Sequence, residues 1–200
     1  MENVMGKIFY LMGKSSSGKD TIFKALLSDA ALGLKQIVPY TTRPIREGEK
    51  NGVEYFFTDE AGVRTMQEQN RIIELRVYHT CHGDWKYFTA ADDQINLEKQ
   101  DYLVIGTPEA FLKIRDYFGE ERVLPIYIEL DDGVRLQRAL DREKAQDQPK
   151  YEEMCRRFLA DAADFSEEKL AELRLSKRFH NDDLSACIQE IRTWIMEQKG

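Results

Sequence analysis

The stretch that most constrains this chain is Gly13-Lys-Ser-Ser-Ser-Gly-Lys-Asp-Thr21. An apolar run, Lys7 to Met12, precedes it and reads as a buried strand. Ile22 to Leu27 follows and reads as the opening turns of a helix. A glycine-bounded loop ending in lysine between strand and helix has the context of a phosphate-binding loop. Gly13 and Gly18 permit backbone angles that a side chain forbids. Successive loop N–H groups then form a nest for an anion, and the helix start near Lys19 adds the positive end of its dipole. Lys19 supplies a cation able to follow a phosphoryl group. The residue after this lysine is ordinarily Ser or Thr; here it is Asp20, followed by Thr21. A carboxylate is a hard oxygen ligand, so Asp20 is read as a Mg²⁺ ligand, directly or through water. The competing reading is an acidic residue decorating the helix start.

A length of 200 residues suits one domain with a full core. A formal charge of -7 argues against a surface that coats nucleic acid. No apolar run approaches a membrane span, and the N-terminus lacks a secretory pattern. Cys81, Cys155 and Cys187 are too few and too scattered for a disulfide scaffold. These features together predict a cytoplasmic protein without membrane or nucleic-acid partners; they leave the oligomeric state open.

Beyond the first helix, expected to run to about Ala31, Leu34 to Val38 reads as a second strand. The segment from Pro39 to Phe57 is dense in Arg, Thr, Gly and Tyr. Arg43 and Arg46 flank Pro44, with Tyr55 shortly after. Two forked guanidiniums and a phenol suit a second phosphate, held bidentately. A solvated basic turn is the plainer alternative. Thr58 to Asn70 reads as a short helix and Arg71 to Leu75 as a strand. His79, Cys81 and His82 lie together in the following hairpin. Alternate strand positions send Cys81 and His82 to opposite faces, so they read as ordinary hairpin residues rather than zinc ligands. Ala90 to Glu98 reads as a helix, and Tyr102 to Ile105 as a fully apolar central strand. Phe111 to Phe118 is a further helix and Arg122 to Ile128 a further strand. From Gly133 to Asp164 the pattern is helical and arginine-rich, interrupted at Gln146 to Pro149. Arg178 to Leu184 closes the chain as a strand and turn before a last helix, in which Trp194 is read as packing.

The loop, followed by Thr41-Thr42-Arg43, Arg46, Gly48-Glu49, Asn51-Gly52 and Tyr55, resembles guanylate kinase. The resemblance spans nearly the whole chain. It implies an α/β P-loop nucleotide kinase: a parallel core sheet flanked by helices, a small mixed α/β monophosphate-binding lobe and a helical lid. The corresponding division is core 1–38, 90–132 and 165–200, lobe 39–89 and lid 133–164, within one domain. The implied reaction is transfer of the ATP γ-phosphoryl group to a nucleoside monophosphate, GMP first, with Mg²⁺. Gly13, Ser15, Ser16, Ser17, Gly18, Lys19, Asp20, Thr21, Arg138 and Asn181 would bind ATP, Asn181 at the adenine. Arg43, Arg46, Tyr55 and Tyr87 would hold the GMP phosphate, and Glu74 and Thr89 would read the base. Lys19, Arg46, Arg142 and Arg157 are the expected catalytic cations. Arg135 is assigned instead to a solvated helix surface. Two features depart from the family pattern. Its serine near Pro39 is missing, and its Asp-x-Asp is replaced by Val104 and Gly106. One of those aspartates supports Mg²⁺ and the other helps read guanine. Transfer to another phosphorylated acceptor, and a regulatory nucleotide-binding module without turnover, are the alternatives.

Overall fold

The computed structural model describes residues 5–80 and 83–199. In chain order the elements begin with β1 (Ile8–Gly13), α1 (Lys19–Ser28), β2 (Lys35–Gln36), β3 (Tyr40–Thr41) and β4 (Phe56–Phe57). There follow α2 (Glu60–Glu68), β5 (Ile72–Thr80), β6 (Gly83–Ala90), β7 (Tyr102–Ile105), α3 (Pro108–Phe118) and β8 (Val123–Glu129). The chain ends with α4 (Asp132–Lys144), α5 (Tyr151–Asp164), α6 (Glu167–Glu172), β9 (Arg178–His180) and α7 (Leu184–Lys199).

All of β1 is buried because it lies at the centre of a five-stranded sheet of order β2-β7-β1-β8-β9, with every pairing parallel. Parallel strands need crossover connections, and the helices that supply them cover both faces. Strand alternation then divides the core. Tyr10 and Met12 point toward Phe111 and Ile114 of α3, with Phe165, Leu170 and Leu173. Phe9 and Leu11 point toward Ile22 and Leu26 of α1 and Ile191 and Ile195 of α7. Trp194 is packing, as its position anticipated: it meets Phe9 and Phe179 edge-on at centroid distances of 6.0 and 5.7 Å.

A second, four-stranded sheet has the order β4-β3-β6-β5, with β5 and β6 an antiparallel hairpin. Val63 of α2 packs on Phe88 and Ala90 of that sheet. The arginine-rich stretch forms two helices, α4 and α5, broken around Gln146–Pro149 as its composition predicts.

Three local expectations are corrected, and one helix is added. The first helix stops at Ser28 rather than Ala31 because Asp29 turns the chain; its Oδ1 accepts from Ala31 N at 2.9 Å. The Leu34–Val38 strand shrinks to Lys35–Gln36, since the Gln94 side chain takes both Val38 N and O, at 2.7 and 3.2 Å. No helix forms over 90–98. Ala90 ends β6, and Asp92 and Asn96 accept from the N–H groups of Gln94 and Glu98 at 3.1 and 3.0 Å. Such i→i+2 bonds offer the backbone an alternative to helix. Finally, α6 was not anticipated; Ser166 caps it by accepting from Lys169 N at 3.4 Å.

At the carboxyl end of β7 the chain reaches Gly106 and Thr107, beside β1. A Cβ at Gly106 would collide with the hydroxyl of Tyr10 and lie 2.9 Å from its Cζ. Tyr10 is 1% exposed and donates to Thr107 O at 3.2 Å. The phenol thus fills the space that a side chain at 106 would need. Gly106→Ala is expected to cost about 1–3 kcal/mol through overpacking. With Tyr10→Phe added, the double variant should be more stable than the sum of the two single losses predicts, measurable by urea denaturation.

Candidate functional site

The loop between β1 and α1 is held from several sides. Gly18, the residue before α1, sits at φ +89°, which glycine adopts without strain. Ser16 shares the positive range at φ 62°, a conformation costly for serine. Gly13 is needed for space rather than angle: a Cβ there would lie 2.8 Å from Ser17 Oγ and 3.0 Å from Ile128 O. Asn181, 1% exposed, donates to Ser17 O at 2.7 Å and leaves no room for a side chain at 18. Its Oδ1 and Ser17 Oγ are buried without hydrogen-bond partners. Lys19 Nζ lies 3.6 Å from the largely exposed carboxylate of Asp20, and Thr21 is exposed at the same helix start.

Helices α4 and α5 pack against this loop. Arg142 Nη2 donates to Ser16 Oγ at 3.3 Å, and Arg142, Arg157, Ser15 and Ser16 line one cavity of only about 30 Å³. Arg138 Nη1 is 4.0 Å from the Cβ position of Gly18. Arg135 overturns its assignment to a solvated surface. It is 1% exposed and donates to Ser15 O at 2.9 Å, to Asp132 Oδ1 at 2.7 Å and to Asp161 Oδ2 at 3.5 Å. The Phe158 ring stacks on its guanidinium at 4.9 Å. Asp161 in turn accepts from Ser15 N at 2.8 Å. Helical spacing alone placed Arg135 among charged neighbours; only packing against the loop buries it. Burial works to raise the Asp132 carboxyl, yet hydrogen bonds from Arg135 and Lys14 outweigh it and leave the pKa lowered.

A second cluster of predicted site residues lies on the small sheet. Arg43 is 4% exposed and forms a bidentate pair with Glu49, at 2.8 and 2.5 Å. Its guanidinium stands 5.0 Å from the Tyr55 ring, and Tyr55 meets Tyr87 at 5.6 Å. Burial raises the Tyr55 phenol, which keeps it a neutral donor. Arg46 is exposed at the rim, with its backbone N–H on Glu49 Oε2 at 2.8 Å. Three of the four predicted phosphate ligands, Arg43, Tyr55 and Tyr87, are therefore together, with Arg46 at the rim.

Farther along the same sheet face, Glu74 has a fully enclosed side chain. Its Oε1 accepts from Thr89 Oγ1 at 2.9 Å and from Arg76 Nη2 at 3.3 Å, and its Oε2 from Arg76 Nε at 2.9 Å. Arg76 was not singled out by sequence. Its position two residues after Glu74, hence on the same strand face, was the available signal. Arg76 Nη1 also reaches Thr107 Oγ1 at 3.3 Å. In the hairpin, His79 Nδ1 lies 2.7 Å from Asp84 Oδ1, both exposed; Cys81 and His82 fall outside the described residues. Among the described residues no group of three His, Cys, Asp or Glu side chains is arranged to hold a metal.

A family model described as guanylate kinase matches residues 5–198. This chain belongs to the guanylate kinase family. It is 28% identical over 196 residues to a guanylate kinase of Porphyromonas gingivalis, covering 96% of this chain and 98% of that protein. A guanylate kinase of Caldanaerobacter subterraneus is 28% identical over 200 residues, covering 97% and 88%. Among solved structures, guanylate kinase from Anaplasma phagocytophilum superposes with a TM-score of 0.64 at 22% identity, covering 98% of this chain and 87% of that one. The parallel sheet flanked by helices is thus the fold of the guanylate kinase family.

Two outcomes follow from this geometry. Arg135→Ala empties a buried site and strips Ser15 O of its charged donor, and should cost about 2–4 kcal/mol in chemical denaturation. The hydrogen bond from Arg43 is the first cause that lowers the Glu49 pKa from 4.5. A depressed folded pKa stabilises fully above the unfolded value and is lost as pH falls through the folded one. Stability should therefore decline with acid below about pH 4.5, and Glu49→Gln should flatten that decline in a pH series of unfolding curves.

Proposed function

We propose that this chain transfers the γ-phosphoryl group of ATP to GMP. The observation that carries the reading is a pair of separate anion sites: the lysine-ended loop under lid arginines, and the Arg43–Tyr55–Tyr87 pocket. Membership of the guanylate kinase family supports the same pairing of donor and acceptor. In this reading the core is 1–38, 90–132 and 165–200, the acceptor lobe 39–89 and the lid 133–164.

Gly13, Ser15, Ser16, Ser17, Gly18, Lys19 and Thr21 would hold the ATP phosphates through loop amides, hydroxyls and the Lys19 ammonium. Arg138 and Asn181 would border the nucleoside of ATP, Asn181 while its amide holds the loop carbonyl of Ser17. Arg43, Arg46, Tyr55 and Tyr87 would fix the acceptor phosphate in line for attack, with Glu74 and Thr89 forming the base end of the cleft. Lys19, Arg46, Arg142 and Arg157 would balance charge as it redistributes over the transferred group. The closed lid excludes water from that step.

Asp20 and Thr21 present exposed hard oxygens at the loop, a donor set that suits Mg²⁺ completed by phosphate oxygens and waters. Bound there, the metal would supply charge neutralisation to the β- and γ-phosphates. Small nucleotides are then the partners. No helix among the described residues is long and apolar enough to cross a membrane. Cys155 and Cys187 are free thiols, which accords with work in the cytoplasm.

The test is ADP release with ATP and Mg²⁺ across GMP, dGMP, AMP, CMP, UMP and sugar phosphates. GMP and dGMP should lead; Lys19→Met should lower kcat by about 100-fold or more, and Asp20→Ser should raise the Mg²⁺ needed for half-maximal rate. A preference for another phosphorylated acceptor would move the function while keeping the sites. Tight ATP binding without turnover on any acceptor would make the chain a regulatory module.

A further inference from the structure

Ser16 holds a backbone conformation that its residue type disfavours. Its φ of 62° lies in the left-handed range, where a side chain crowds the following carbonyl oxygen. Among the described residues, Asn70 and Arg174 are the other non-glycine positions in that range, and each stands just past the end of a helix, α2 and α6. There a left-handed residue is the ordinary way to stop. Ser16 ends no helix and stands inside the loop before α1. Glycine would relieve the angle but brings no hydroxyl, so the hydroxyl is what the strained position gains.

That hydroxyl accepts from Arg142 Nη2 at 3.3 Å. Arg135 and Arg142 lie two turns apart on α4 and are anchored in opposite ways. Arg135 is tied to the carboxylates of Asp132 and Asp161. Arg142 forms no ion pair with a carboxylate among the described residues. Two carboxylates border the same small cavity, but both are engaged elsewhere. Glu143 accepts from Lys150 N at 3.0 Å, and Glu153 pairs with Arg156 at 2.7 and 2.8 Å. A neutral oxygen therefore holds Arg142. A carboxylate in its place would hold the guanidinium and also cancel its charge. A hydroxyl fixes the position and leaves the charge and the remaining N–H groups for a phosphoryl group.

We propose that Ser16 is the positioning residue for Arg142: its hydroxyl docks the guanidinium at the phosphate-binding loop, and the strained angle aims that hydroxyl at α4. This rests on the reading of the chain as a kinase in which Arg142 balances charge during transfer. Arg142 is exposed, so its long side chain is otherwise free among rotamers. Holding it beforehand removes that ordering cost from the transition state. The contribution of the hydroxyl runs through Arg142, so it raises kcat rather than the affinity for ATP.

The test measures kcat and KM for ATP, with GMP and Mg²⁺, in Ser16→Ala, Ser16→Gly and Ser16→Asn, with stability followed by urea denaturation. Alanine deletes the hydroxyl and keeps the strained angle. Glycine removes both, and asparagine tolerates the angle while restoring an acceptor. The alanine and glycine variants should both lose about tenfold in kcat, with KM for ATP within about threefold of native. Ser16→Asn should regain most of that loss. Ser16→Gly should be no less stable than the native chain, so its slower turnover does not come from unfolding. In an Arg142→Ala background, Ser16→Ala should cost nothing further. The same tenfold loss in that background, an effect confined to KM, or full kcat in Ser16→Ala would overturn the assignment of Ser16 and spare the kinase reading. A native protein that transfers phosphate to no nucleoside monophosphate would overturn both.

Discussion

A buried guanidinium joins the loop after β1 to α4 and α5. Arg135 reaches from α4 to the loop carbonyl of Ser15 and to the carboxylates of Asp132 and Asp161. Enclosing a charge costs several kcal/mol unless its hydrogen bonds are met, and here a carbonyl, two carboxylates and an aromatic face meet them. The arrangement fixes more than one residue. Asp161 also binds the Ser15 amide, so loop, α4 and α5 share one polar knot with a single mutually satisfied arrangement. The relation of the lid arginines to the loop follows from it.

A different kind of constraint governs the junction of the two sheets. There the hairpin β5–β6 and the end of β7 meet at Tyr10, Arg76 and Thr107. The chain has no carboxylate at 104 or 106, a phenol against Gly106, and an arginine two residues beyond Glu74. These departures interlock. Gly106 makes room for Tyr10, Tyr10 holds the Thr107 carbonyl, and Thr107 supports Arg76. That wall is fixed by tertiary contacts, while Arg43, Tyr55 and Tyr87 stay together on the small sheet.

Much of this was legible in the chain where the physics is local. A strand, a glycine-bounded loop and a helix lie within about twenty residues, so the donor loop reads directly from Lys7–Leu27. The arginine-rich helices and their break are equally local. Arg135 was not legible, because charged residues on a helix are ordinarily exposed and only contacts across 120 positions enclose it. The span 90–98 misled for the opposite reason: Asp92 and Asn96 bond their own backbone, and that defeats a periodic pattern. Arg76 shares a visible strand face with Glu74, but its link to Thr107 spans 31 positions. Where its guanidinium lies depends on that link.

The Asp161 carboxylate on the Ser15 amide has one more consequence. The Ser15 amide is answered by a side chain of α5, 146 positions further along the chain. Loop and helix are thereby tied as one unit: the loop keeps this shape only while α5 stays docked, so the two loosen or tighten together.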